Sequence, residues 1–155
     1  MNRRQKYPNT KTFRFFNANP KNRITGDCRI RAICTATKTD YNKVVMDLAR
    51  IQCETGYDQV SNQGIDILLK EYGWEKQKQP RKANGTKYTG EQFCKLLNKE
   101  KSSLGGIVAN IGGHHVVAIM PTDPLDDKEN WKVFDIWDST EGCIGNYWIK
   151  KASTI

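Results

Sequence analysis

The decapeptide ITGDCRIRAI, residues 24–33, decides how the rest of the chain is read. Thr-Gly-Asp closes a polar stretch, and from there apolar residues recur at helical spacing. Ile30, Ile33, Cys34 and Thr37 form one stripe. The spacing predicts a helix over 27–37, with Cys28 in its first turn. Cys28 lies off that stripe: at about 100° per residue it points roughly 200° away from Ile30. Arg31 and Ala32 share its side, whereas Cys34 has the place of a packing thiol. A helix N-terminus favours thiolate over thiol. Cys28 is therefore the candidate nucleophile, and the chain has to supply a base and an orienting group for it.

Working outward, residues 1–23 are polar, with an aromatic patch at Phe13, Phe15 and Phe16; they read as an extended arm that packs by its rings. After Asp40, an N-cap type, Tyr41, Val44, Val45, Leu48 and Ala49 predict a second helix. A third begins near Ser61 or Asn62, carries Ile65, Leu68, Leu69 and Tyr72, and stops at Gly73. Residues 74–88 are basic and hold Pro80 and Gly85, which reads as a loop. Thr89 with Gln92 three residues on is a capping-box pattern that opens a fourth helix with Phe93, Leu96 and Leu97. The period then shortens. Strands are expected at 105–111, at 115–120, within WKVFDIWD and within IGNYWIKK, with PTDPLDDKEN as a turn. Helices followed by strands predict an α+β fold with a C-terminal antiparallel sheet, in one domain spanning 1–155.

Composition narrows the function. The net charge of +8 leaves a nucleic-acid partner possible, but the basic residues are scattered and no dense basic helix occurs. The longest apolar run, 116–120, is too short to cross a membrane. The N-terminus has no apolar signal-peptide core, so a cytoplasmic location is expected. The five cysteines, at 28, 34, 53, 94 and 143, include no CxxC. Neither a disulfide framework nor a metal site is expected from their spacing, and no cofactor motif appears. Cys53 and Cys94 fall in helical patterns. Cys143 sits in a loop with no evident base beside it.

Only two histidines are present, His114 and His115, directly after Gly112-Gly113 and at the mouth of an apolar strand. His115 is attached to the strand and is the expected base; His114, its alternate, would face the other way. Asp135 interrupts the apolar run VFDIW. A carboxylate there is costly unless hydrogen-bonded, and an imidazole on a neighbouring strand is a suitable partner. Asp138 is the alternate, nearer the strand end, where it would start a turn. Trp137 is placed either to shield a His–Asp pair from water or simply to fill the core.

Cys at a helix start, then His and Asp on strands, resembles the papain-like cysteine peptidase superfamily. NRITGDC places Asn22 six residues before the cysteine, where papain-like enzymes carry a glutamine of the oxyanion hole. Asp27 directly before Cys28 is similar to the double-glycine leader peptidases of bacterial exporters, and HVVAIM to the papain-type histidine strand. Small bacterial and phage proteins share this layout. The resemblance covers about 19–150 and implies a papain-like thiol hydrolase that cleaves an amide or isopeptide bond in a peptide or protein. Its catalytic residues would be Cys28, His115 and Asp135, with Asn22 and the Cys28 amide as oxyanion donors. Asn departs from the family's Gln by one methylene. The same groups would serve a glutamine deamidase or a cell-wall endopeptidase. A different reading is a non-catalytic basic module that binds nucleic acid or protein.

Overall fold

The computed structural model describes residues 1–123 and 130–152. In chain order the elements are α1 (Arg3–Lys6), β1 (Phe13–Phe15), α2 (Cys28–Thr37), α3 (Tyr41–Thr55), α4 (Asn62–Glu71), β2 (Trp74–Gln77), α5 (Gly90–Lys99), β3 (Ile107–Ile111), β4 (His115–Met120), β5 (Lys132–Asp135) and β6 (Ile144–Lys150). Local chemistry accounts for the helix ends. The Asp40 carboxylate accepts from the Asn42 and Lys43 backbone N–H groups at the start of α3, and Gly56, at φ +78°, ends it. Ser61 caps α4. Thr89 and Gln92 form the reciprocal capping box of α5.

The strands form one six-stranded sheet in the order β1-β5-β4-β3-β6-β2. On one face α2, α3 and α4 cover Val108, Val116, Ala118, Met120 and Trp148. On the other face α5 covers Ile107, Ala109, Ile111, Val117, Ile119 and Ile144. Strands β3 and β4 are thus buried on both sides, which is why their sequences are almost continuously apolar rather than alternating. Helix α2 packs against both β4 and α3.

The α+β class holds, with three corrections. The sheet is mixed: β1 pairs parallel with β5, Phe13 opposite Val133 and Phe15 opposite Asp135, while every other pairing is antiparallel. The N-terminal arm therefore contains a sheet strand, anchored by fully buried Phe13, as well as a one-turn helix. The basic stretch after Gly73 opens as edge strand β2 on β6, because Trp74 is buried in the core and its neighbours pair with 147–150. In α2 the stripe is only part of the buried surface. Arg31 and Ala32, on the Cys28 side, are buried as well, because the helix is enclosed by sheet and helices together. The turn expected over 121–130 lies, for 124–129, outside the described residues.

Candidate active site

Cys28 is the first residue of α2, half-buried and reachable from solvent. The loop before it is shaped by asparagines in side-chain turns. Asn17 Oδ1 accepts from the Asn19 N–H, Asn19 Oδ1 accepts from the Lys21 N–H, and Asn22 takes a left-handed φ of 55°. This loop ends at Asp27, whose carboxylate does not cap the helix. It turns inward and accepts from Arg31 Nε at 2.8 Å, Tyr41 Oη at 2.6 Å and Asn19 Nδ2 at 3.0 Å.

His115 is brought to Cys28 by β4 and Asp135 by β5. His115 opens β4 and Asp135 closes the antiparallel neighbour β5, so both stand at one end of the sheet. His115 Nε2 bonds Asp135 Oδ2, which leaves Nδ1 for the Cys28 thiol. The second Asp135 oxygen accepts from Arg31 Nη1 at 2.6 Å and from the Ile136 N–H at 2.7 Å. A continuous chain results: Tyr41, Asp27, Arg31, Asp135, His115, Cys28. The Trp137 ring lies 4.9 Å from the His115 ring and covers it.

The electrostatics follow from these contacts. Burial alone would push the Cys28 thiol up, but the hydrogen bond to His115, the Val116 N–H and the charges of His115 and Arg29 outweigh it and hold the thiol below the usual range. For His115 burial works against the charged form; Asp135 and Cys28 overcome it and raise the imidazole to about 9. Both shifts favour the thiolate and imidazolium forms over a neutral thiol and imidazole. The other buried thiols go the opposite way: burial pushes Cys34 up to about 11 and Cys94 up to about 12. Burial raises Asp27 too, but the bonds from Tyr41, Arg31 and Asn19 bring its carboxyl below the usual range.

The structure thus brings Cys28, His115 and Asp135 together and leaves the alternates apart. His114 is exposed. Asp138 Oδ1 accepts from the N–H and hydroxyl of Thr140, a local turn. Asn22 is exposed; its Oδ1 accepts from Asn17 Nδ2, and among the described residues its own Nδ2 donates to nothing. Sequence reasoning placed Arg31 beside Cys28 without giving it a part, and treated Asp27 only as the residue before the cysteine. The signal available was their i,i+4 spacing, which sets an Asp–Arg pair on the face that carries Cys28. Tyr41 carried no such signal. Among the described residues no group of three or more His, Cys, Asp and Glu side chains could hold a metal ion, and no helix is long and apolar enough to cross a membrane.

No protein-family model matches the chain, and no curated relative does. Among solved structures the chain is similar to a double glycine motif protease from an AMS/PCAT transporter, solved in complex with the leader peptide. The TM-score is 0.41 at 12% identity, over 79% of this chain and 81% of that one.

Proposed function

We propose that the protein is a papain-like thiol hydrolase that cleaves an amide or isopeptide bond in a peptide or protein. The observation that carries this reading is the chain Cys28–His115–Asp135, assembled from a helix start and two neighbouring strands. A merely structural cysteine does not need an imidazolium against its sulfur, nor an imidazole oriented by a buried carboxylate.

In this reading the Cys28 thiolate attacks the substrate carbonyl carbon, and a C–S bond forms. The oxyanion is held by the Cys28 backbone N–H, with the free Nδ2 of Asn22 as second donor. His115 gives its proton to the leaving nitrogen as the C–N bond breaks, leaving a thioester. Water then attacks the thioester while His115 takes its proton, and the acid product leaves with Cys28 restored. Asp135 keeps the ring oriented and its charge stabilised, and Trp137 excludes water from the pair. Glutamine deamidation and cell-wall endopeptidase activity follow the same steps on other substrates.

The test is incubation of the protein with a proteome-derived peptide library and identification of new termini by mass spectrometry, alongside Cys28→Ala. New termini, or a one-dalton gain on glutamine from deamidation, that vanish in Cys28→Ala support the reading. Equal products in the two samples refute it. Salt-sensitive nucleic-acid binding that survives Cys28→Ala, with no product formed, would transfer the function to the basic surface.

A further inference from the structure

Beside Cys28 stands a guanidinium that pairs with no carboxylate among the described residues. Arg29 Nη1 lies 3.9 Å from Cys28 Sγ, and this sulfur, a weak acceptor, is its one hydrogen-bond partner among the described residues. Arg29 Nε is buried and unpaired. Three other arginines of the chain are paired with carboxylates. Arg31 bridges Asp27 and Asp135, Arg14 meets Asp123, and Arg50 meets Glu54 and Glu71. The carboxylates near Cys28 are out of Arg29's service: Asp27 and Asp135 are 8% and 2% exposed and both are held by Arg31. The loop leading into Cys28 adds Lys21 and Arg23, both exposed and with no ion-pair partner among the described residues. A group approaching the sulfur therefore meets Arg29 and His115, and the carboxylates beside them among the described residues, Asp27 and Asp135, are already bonded to Arg31.

We infer that the mouth of the site selects an acidic substrate, with Arg29 receiving the side-chain carboxylate of an Asp or Glu that flanks the scissile amide. This rests on Cys28 being the nucleophile. Sulfur is a weak acceptor for Arg29 Nη1, and a carboxylate at the mouth offers that end of the guanidinium a far better one. The planar fork of arginine suits a carboxylate, and a flanking acid would be drawn into register with the carbonyl under attack.

Two alkylating reagents of nearly equal size separate this inference from the reading beneath it. Native full-length protein is treated at pH 7 with iodoacetamide or with iodoacetate, and modification at Cys28 and at exposed Cys53 is followed by mass spectrometry. The iodoacetate-to-iodoacetamide rate ratio divides out the thiolate fraction and reports the charge met at the mouth. The ratio at Cys28 is expected to exceed that at Cys53 by about fivefold or more, the size of one charge contact at about 4 Å screened as in bulk water. Arg29→Gln should remove most of that excess, and Arg29→Lys should keep it. A fast Cys28 whose ratio is unmoved by Arg29→Gln overturns the inference alone. A Cys28 that reacts with iodoacetamide no faster than Cys53 overturns the nucleophile reading and this inference with it.

Discussion

Replacement of Arg31 by Met tests the hidden half of the site. The guanidinium bridges Asp27 at 2.8 Å and Asp135 at 2.6 Å, and side chains on both sides are at most 7% exposed. Methionine fills similar space and leaves two carboxylates buried without their cation. Breaking a buried pair in this way costs about 3–5 kcal/mol. Asp27 keeps its bonds from Tyr41 and Asn19, and Asp135 keeps the Ile136 N–H, which places the cost at the lower end, ~3 kcal/mol. In a chain of this length that lowers the thermal midpoint by roughly 6–12 °C. The assay is urea unfolding followed by tryptophan fluorescence, with a double-mutant cycle through Asp27→Asn. Because removing one partner relieves the penalty on the other, the double variant should fall short of the sum of the singles by about 1 kcal/mol or more. An Arg31→Met variant within 1 kcal/mol of the parent, or strict additivity with Asp27→Asn, would refute the claim that Arg31 is held in a buried ion-pair bridge.

Further predictions concern the pair itself and its supports. Hydrolysis should follow a bell-shaped pH profile. The rising limb comes from the Cys28 thiol, held below its ordinary value, and the falling limb from loss of the His115 proton at about 9, since the leaving nitrogen then has no donor. A rate still climbing beyond pH 10 would contradict this. Trp137→Ala strips the ring 4.9 Å from His115. It should lower kcat/KM by about tenfold with little change in thermal midpoint, because water then competes for the His–Asp bond. Thr89→Ala removes the capping hydroxyl of α5, far along the chain from Cys28. It should cost about 1 kcal/mol in urea unfolding and leave Cys28 alkylation unchanged.

What was legible in the sequence was whatever depends on spacing along the chain. The caps at Asp40, Ser61 and Thr89, the stop at Gly73 and the position of Cys28 at a helix start are all local, and the residues state them. Strand β4 was legible because six residues of it sit between two cores. Long-range pairing was not. Nothing local in KTFRFF says that it joins β5 in parallel, and a basic stretch conceals edge strand β2, whose one inward anchor is Trp74. That Asp135 rather than Asp138 meets His115 follows from the pairing of β5 with β4, and register is invisible until strands are paired. Arg31 escaped notice for a related reason. A charge on a helix reads as solvated surface, and only the packing of α2 on β4 shows that it is enclosed between two carboxylates.

The central claim is that His115 holds Cys28 as a reactive thiolate. The direct measurement is site-resolved alkylation of the native protein by iodoacetamide at pH 6, in the parent and in His115→Ala. The account predicts that Cys28 reacts faster than exposed Cys53 and Cys143 by about tenfold or more, that Cys34 and Cys94 stay silent, and that His115→Ala returns Cys28 to the rate of an ordinary thiol. A Cys28 no faster than Cys143, or one whose rate survives His115→Ala, would contradict it.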